Sequence, residues 1–321
     1  MTHIFGASSS TDDVLGDVRL VGKRIFISGV SAGIGLETAR ALVSRGASII
    51  GTARDIEKNQ GVLHDAAKDG GGSVEVIKMD LADLTSVRSV TDHLVSLGDP
   101  LDLVIENAGV MNTPFGRTKD GFELQFGTNF LGHFVLANRL AGLMREGARL
   151  VVLSSSGHRF ADVDLDDPNF DRTPYDSSVA YGRSKTADAL LAVAFDARHR
   201  DRGVRAAAVH PGVIWTELAR YMDPAEFEPA FEAMKARHVA LGHPPFELKT
   251  VSQGAATTIW AGVTADADLI GGKYCEDCGI SPILDDPDVS IFAPGVLPYA
   301  IDPVRAAALW DKANELVGER F

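Results

Sequence analysis

The chain has 321 residues, 45% hydrophobic and 23% charged, enough for one large core or two modest ones. With 44 acidic against 31 basic residues its net charge is -13, which disfavours nucleic acid and polybasic membrane contact, since both need clustered Lys and Arg. No stretch approaches the ~18 apolar residues of a membrane span, and the first residues lack a basic region followed by an apolar one, so a cytoplasmic protein is expected.

Residues 1–21 read as an N-terminal extension. Apolar runs rich in Val and Ile then recur at 24–29, 47–54, 73–80, 101–109, 149–156 and 204–212, with amphipathic segments such as "GLETARALVSRG" and "TSVRSVTDHLVSLG" between them. Continuous apolar strands alternating with helices imply a parallel sheet covered on both faces. The pattern therefore predicts one doubly wound α/β domain over 1–321, with about seven strands and helices on both faces. A short strand around "GGKYCED" is expected to close one edge. Two further segments break the alternation, a loop at 157–178 and a stretch at 214–249. Both leave the carboxyl edge of the strands, where ligands bind in such sheets, and so read as parts that shape a site.

The stretch "ISGVSAGIGLETAR" follows the first strand and opens a helix, the context of a Rossmann-type dinucleotide turn. Gly29, Gly33 and Gly35 suit the tight turn, the close approach of backbone to pyrophosphate, and the packing of helix on strand. With Ser31, Ala32 and Ile34 they form the expected phosphate cradle. Arg54 ends the second strand about 20 residues beyond Gly35, where an arginine accommodates a 2′-phosphate and an acid binds a ribose hydroxyl. NADP(H) is the expected cofactor, with NAD(H) the alternative because Asp55 is adjacent.

Cys275 and Cys278 form a C-x-x-C with no second pair to complete a zinc site, and read as two reduced thiols near a strand end. His133, His158 and His210 lack metal spacing and read as packing or loop residues, so no metal is expected. Tyr181 and Lys185 in "AYGRSKTA" stand one helical turn apart, a spacing too common to mean much alone.

In their order along the chain these segments resemble the short-chain dehydrogenases/reductases over nearly all of residues 20–280. The glycine motif of that family appears as Ser28 to Gly35, its adenine-contacting acid as Asp80 beside Leu81, and its N-A-G as Asn107, Ala108 and Gly109. Its helix asparagine appears as Asn129, its serine in "VVLSSSG", its Y-x-x-x-K as Tyr181 and Lys185, and its P-G as Pro211 and Gly212, with Val213 and Thr216 beyond. The resemblance assigns these positions to cofactor binding. It makes Ser155, Tyr181, Lys185 and Asn129 the catalytic set, with Ser154 as the substitute for Ser155. The long interval between Ser155 and Tyr181, together with "NFLGHF", "VHPG" and "GTARD", is similar to the branch holding retinol dehydrogenases, the WW-domain oxidoreductase and carbonyl reductases. Two departures stand out: Ser28 replaces a threonine, and Glu106 replaces the first asparagine of N-N-A-G, which puts the local hydrogen bonding in question.

The implied reaction moves a hydride between nicotinamide and a carbonyl or alcohol carbon while a proton reaches or leaves the oxygen. A free tyrosine has a pKa of about 10, and a nearby ammonium and an oxidised nicotinamide both favour the phenolate. Tyr181 is then the acid/base, Lys185 its partner and holder of the nicotinamide ribose, and Ser155 the donor that orients the substrate oxygen. Asn129 resembles the residue that holds a water linking lysine to solvent. The substrate is expected to be a bulky apolar small molecule touching Met111, Ser155, Trp215, Leu218 and Tyr221. Over it would lie a lid of one or two amphipathic helices broken near Pro224 and Pro229, joined by Phe160, Phe170 and Tyr175 of the long loop. A homodimer or homotetramer is the expected assembly. The rival readings are a dinucleotide-binding regulatory protein with vestigial activity and a sugar-nucleotide epimerase or dehydratase.

Overall fold

A computed structural model describes residues 5–58, 60–286 and 289–321. The apolar runs become β1 (Arg24–Ser28), β2 (Ser48–Ala53), β3 (Ser73–Lys78), β4 (Leu101–Glu106), β5 (Met144–Leu153), β6 (Arg205–His210) and β7 (Tyr274–Glu276), followed by β8 (Gly279–Ile280). The sheet order is β3-β2-β1-β4-β5-β6-β7-β8. β1 to β7 pair in parallel, and the order reverses between β1 and β4, which creates the crevice where open α/β sheets bind ligands.

The edge differs from the expectation. β7 is not the last strand, because the chain turns at Asp277 and Cys278 and pairs antiparallel as β8. Both turn residues have positive φ, +50° and +55°, as a two-residue type I′ hairpin requires. The C-x-x-C is thus a hairpin element with both thiols free and buried, and burial pushes Cys275 up to about 12 and Cys278 to about 11.

Alternation along the strands sorts the core into two layers. Phe26, Val104, Leu150, Val152 and Ala206 face α4 (Leu84–Leu97), α5 (Gly132–Leu140), α6 (Ser177–His199) and α10 (Pro303–Val317). On the other face Ile25, Ile27, Leu103, Ile105 and Val151 meet α2 (Gly33–Val43), α3 (Gln60–Gly70) and α8 (Val251–Ile259). The N-terminal extension belongs to this second layer. Its short α1 (Thr11–Leu15) carries a capping box from Ser10 and Asp13, buries Val14 and Leu15, and joins α2 and α8 through Thr11 bonds to Glu37 and Ser252. α9 (Ala267–Ile270) leads into β7.

Residues 281–321 carry no motif of the family, yet α10 completes the first layer with Leu309, Trp310, Ala313 and Val317 buried. Trp310 packs edge-on to Phe134 at 5.0 Å and lies under the Arg198 guanidinium. Residues 214–249 hold a turn at Glu217–Tyr221 and then α7 (Pro224–Ala240), one continuous helix where a break was expected. Pro224 sits in the first turn, where no N–H is needed, with Asp223 as its cap. Pro229 lies inside the helix, where the carbonyl it leaves unpaired can meet water, since its surroundings are exposed. Among the described residues no helix is long and apolar enough to cross a membrane.

Candidate active site

The carboxyl ends of β1 to β6 gather the expected residues. Gly29 (φ +76°) and Gly33 (φ +56°) adopt the left-handed backbone that glycine favours. Gly35 has no room for a side chain, since a Cβ there would lie 2.0 Å from the Gly29 carbonyl oxygen and 2.3 Å from Asn107 Nδ2. Asn107 locks this turn by donating from Nδ2 to the carbonyls of Ser28 (3.0 Å) and Gly29 (2.9 Å). Gly35→Ala is expected to cost about 1–3 kcal/mol through overpacking, seen as a fall of several degrees in Tm. An unchanged Tm would show that the turn yields where backbone contact says it cannot.

No side chain caps the start of α2, where Ala32 is the N-cap. The amides of the first turn, at Gly33, Ile34 and Gly35, are therefore left without a side-chain cap and suit an anion, with Thr216 packed over Gly33. Ser31 precedes them in the same turn. Arg54 is exposed directly after β2, while Asp55 spends an oxygen on the Glu57 amide at 3.1 Å. Asp80 and buried Leu81 follow β3, Asp80 accepting from the Ala82 amide, and Ala108 and Gly109 follow Asn107 beyond β4. Pro211, Gly212 (φ +93°) and Val213 follow β6, with Lys249 lying across Gly212. The donor set and the glycine cradle fit a dinucleotide.

Tyr181 and Lys185 lie buried on α6, which Asp176 caps through the amides of Ser178 and Val179. The Lys185 ammonium is 5.9 Å from the Tyr181 ring centre and donates to the Leu153 carbonyl (2.9 Å) and to Asp188 Oδ2 (2.8 Å). Burial alone would lower its pKa, but the Asp188 charge, Tyr181 and the hydrogen bond to Asp188 outweigh it and hold the lysine above its ordinary value. Ser155 caps the turn Ser156–Phe160, its Oγ accepting from the Gly157 amide at 3.0 Å, which leaves the hydroxyl hydrogen to donate elsewhere. A Cβ on Gly157 would fall 2.6 Å from the Tyr181 ring and 3.4 Å from Ser155 Oγ, so hydroxyl and phenol border the same space. Ser154 is committed differently, donating to the Lys185 carbonyl at 2.6 Å.

Asn129 sits in a π-turn, Phe126–Leu131, ahead of α5. Its Oδ1 accepts from the Val110 amide and its Nδ2 donates to the Val110 carbonyl and Ser184 Oγ, so its side chain holds the Gly109–Val110 turn beside the Lys185 ammonium. The histidines have specific structural tasks. His133 Nδ1 donates to the Asn129 carbonyl (2.7 Å), leaving Nε2 to accept from Ser28 Oγ (2.9 Å), whose oxygen in turn accepts from the amides of Asn107 and Ala108. Burial pushes its pKa down to about 3, so it serves as a neutral bridge. His158 donates from Nδ1 to the Ser155 carbonyl and accepts the Leu297 amide at Nε2, and His210 Nδ1 accepts the Ser156 amide, fixing the serine turn from two sides.

Of the expected substrate contacts, Met111 and Leu218 are half-buried, and Trp215 and Tyr221 are 58% and 43% exposed. The long loop differs from the expectation. Phe170 packs on Tyr175, Tyr175 packs on Phe115, and the Tyr175 hydroxyl donates to the Thr113 carbonyl, so these rings brace the loop. Phe160 stays 45% exposed. The α7 aromatics Phe227 and Phe231 form a chain with Trp215 ahead of the helix, which continues to Phe292 and Phe246. His238, the one buried residue among those described on α7, is 2.7 Å from Ser290 Oγ. Phe292 has no motif around it, and only its aromatic character hinted at this role.

A family model described as short chain dehydrogenase matches residues 23–226. Retinol dehydrogenase 14 of Mus musculus is 34% identical over 311 residues, covering 92% of this chain and 86% of that protein. An oxidoreductase of Penicillium decumbens is 35% identical over 324 residues, covering 96% and 92%. Among solved structures, a short chain dehydrogenase from Burkholderia cenocepacia in complex with NADP shares 25% identity, with a TM-score of 0.63 over 81% of this chain and 98% of that one. The glycine turn, the paired Tyr181 and Lys185 and the doubly wound sheet thus coincide with a match over most of the chain, which is an oxidoreductase of the short-chain dehydrogenase family.

Proposed function

We propose that this protein reduces a carbonyl, or oxidises the corresponding alcohol, on a bulky and largely apolar substrate with NADP(H) as the hydride carrier. The observation that carries this reading is the convergence of Ser155, Tyr181 and Lys185 at the carboxyl edge, next to a glycine turn whose amides suit a pyrophosphate. The nicotinamide supplies or accepts the hydride when bound. Tyr181 gives a proton to the substrate oxygen or takes it away, and Lys185, held charged by Asp188, stabilises the phenolate and has a third N–H left for a ribose hydroxyl. Ser155 donates to the same substrate oxygen and orients it. Asn129 acts through position, keeping Gly109 and Val110 where the ammonium needs them.

NADP(H) over NAD(H) is supported by exposed Arg54, by the commitment of Asp55 to its own turn, and by the NADP bound in the Burkholderia relative. A bulky apolar substrate is supported by the aromatic chain on α7 and by a relative whose name denotes action on retinol, a long apolar alcohol. Absorbance of NAD(P)H, followed over a panel of carbonyls and alcohols, tests the reading directly. Turnover of none of them with either cofactor would overturn it.

In this reading residues 214–249 close over the substrate and exclude water. Hydrogen exchange over residues 215–246 is expected to slow when NADP(H) and a bulky ketone are added together. Full protection in the free protein, combined with faster turnover of small polar aldehydes, would make α7 a packing element instead.

A further inference from the structure

The turn that Ser155 caps is bound to a segment that no motif marks. Arg159 of that turn, half-buried, donates from Nη1 to the Ser290 carbonyl (3.0 Å) and from Nη2 to the carbonyls of Ala293 (2.8 Å) and Gly295. Gly295 is held from its other side as well, its amide donating to Glu276 Oε1 on β7. The Leu297 amide then donates to His158 Nε2 (3.1 Å), and the Tyr299 hydroxyl donates to the His158 carbonyl (2.7 Å). A planar guanidinium fork that meets several carbonyls at once fixes their spacing, which the point charge of an ammonium does not. The other side of the same segment meets α7. Ser290 Oγ, which accepts the Phe292 amide, is 2.7 Å from His238 Nδ1. The Phe292 ring stacks on Phe246 at 4.0 Å and stands edge-on to Phe231 at 5.5 Å. Residues 290–297 therefore touch the serine turn through their backbone and α7 through their side chains.

We propose that Arg159 is a positioning residue that fastens residues 290–297 as an arm between the Ser155 turn and α7, so that the serine hydroxyl and the substrate cover are set by one part. The Ser155 carbonyl already accepts the His158 amide (3.0 Å) and lies 2.8 Å from His158 Nδ1, so a shift of the arm reaches Ser155 through His158 and Arg159 together. At its other end the same shift withdraws Phe292 and Ser290 from Phe231 and His238 and leaves α7 without that support. The orientation of the reacting oxygen and the seating of the cover thus depend on the same carbonyl contacts. Because Arg159 grips backbone oxygens, the side chains of the arm can differ without loosening the clamp.

The link to the substrate rests on the dehydrogenase reading, while the arm is tested in the protein alone. Arg159→Met keeps much of the length of the side chain and removes every donor. Hydrogen exchange in the free protein is expected to speed up about tenfold over residues 290–297 and over α7, while β4 and β5 keep their wild-type protection. Phe292→Ala is expected to speed exchange on α7 as well, and the double variant to add nothing there, because the arm can let go of α7 only once. With a substrate that turns over, Arg159→Met should lower kcat about tenfold and leave the dissociation constant of NADP(H) unchanged, since the donor to the substrate oxygen loses its seat. Phe292→Ala should instead act mainly on KM, raising it about tenfold for a bulky ketone. Wild-type exchange on α7 in Arg159→Met, multiplicative acceleration in the double variant, or an unchanged kcat would each overturn the proposal. Equal acceleration across β4 and β5 would overturn it too, by making Arg159 a general stabiliser of the fold. If Arg159→Met does not fold, Arg159→Lys carries the same comparison, since it keeps the charge and loses the fork. A protein that turns over nothing would sink the dehydrogenase reading and leave the exchange experiment to judge the arm.

Discussion

Tyr181→Phe is expected to cut turnover at least ~100-fold while leaving NADP(H) affinity nearly intact, because acid/base groups contribute about 10²–10⁴ to rate. The substitution deletes one hydroxyl from a ring already packed against Gly157, so the fold and the cofactor crevice should hardly notice it. Lys185→Ala should behave differently and damage both. Its ammonium joins the Leu153 carbonyl to Asp188, and its removal leaves a buried carboxylate without its cation. Rates measured with an authentic substrate, alongside a fluorescence titration of the cofactor, separate the two cases. A Tyr181→Phe enzyme that keeps more than about a tenth of the wild-type rate would remove tyrosine from the proton-transfer role.

Arg54→Ala is expected to weaken NADPH binding about ten- to a hundredfold and to leave NADH nearly unchanged, since a charge-assisted contact to phosphate is worth ~1.5–3 kcal/mol. Arg54 is exposed at the end of β2 and Asp55 is turned into its own loop, which gives the arginine the better claim on a 2′-phosphate. Dissociation constants for both cofactors, in wild type and variant, decide the matter. Equal wild-type affinities for the two would pass the role to Asp55 as a ribose ligand.

The parts of this protein that were readable in its sequence are those in which a local backbone need restricts the residue type. Gly35 is one, because any side chain would strike the Gly29 carbonyl, and the turn of helix that brings Tyr181 and Lys185 together is another. Order along the chain then turned weak local signals into a family resemblance. What escaped depends on contacts between distant segments. Glu106 was visible as a departure, but nothing near it in sequence tells that both of its carboxyl oxygens lie buried without a partner among the described residues. Phe292 meets the α7 aromatics only after the chain has passed through β8. The bracing of Tyr175 in the long loop was not readable because its partners, Phe115 and Thr113, lie about sixty residues upstream. The helical spacing of Ala306, Leu309, Ala313 and Val317 fits an amphipathic α10, but the helix was not read from the sequence because no motif marked its place.

The neutral bridge from Asn129 through His133 to Ser28 has a further consequence for how such an enzyme can diversify. It ties the turn beside Lys185 to the backbone that shapes the glycine cradle, so the chemistry and the grip on the cofactor form one inherited block. A change at Ser28 or His133 is felt at both ends, and neither half can drift alone. Among the described residues α7 with its aromatics has no bond to that bridge, and the helix is mostly exposed, with Phe227 and Phe231 half-buried and His238 buried. On the proposed reading of residues 214–249 as a substrate cover, new substrates can be acquired by rewriting that stretch and the Phe292 segment while the floor beneath stays the same.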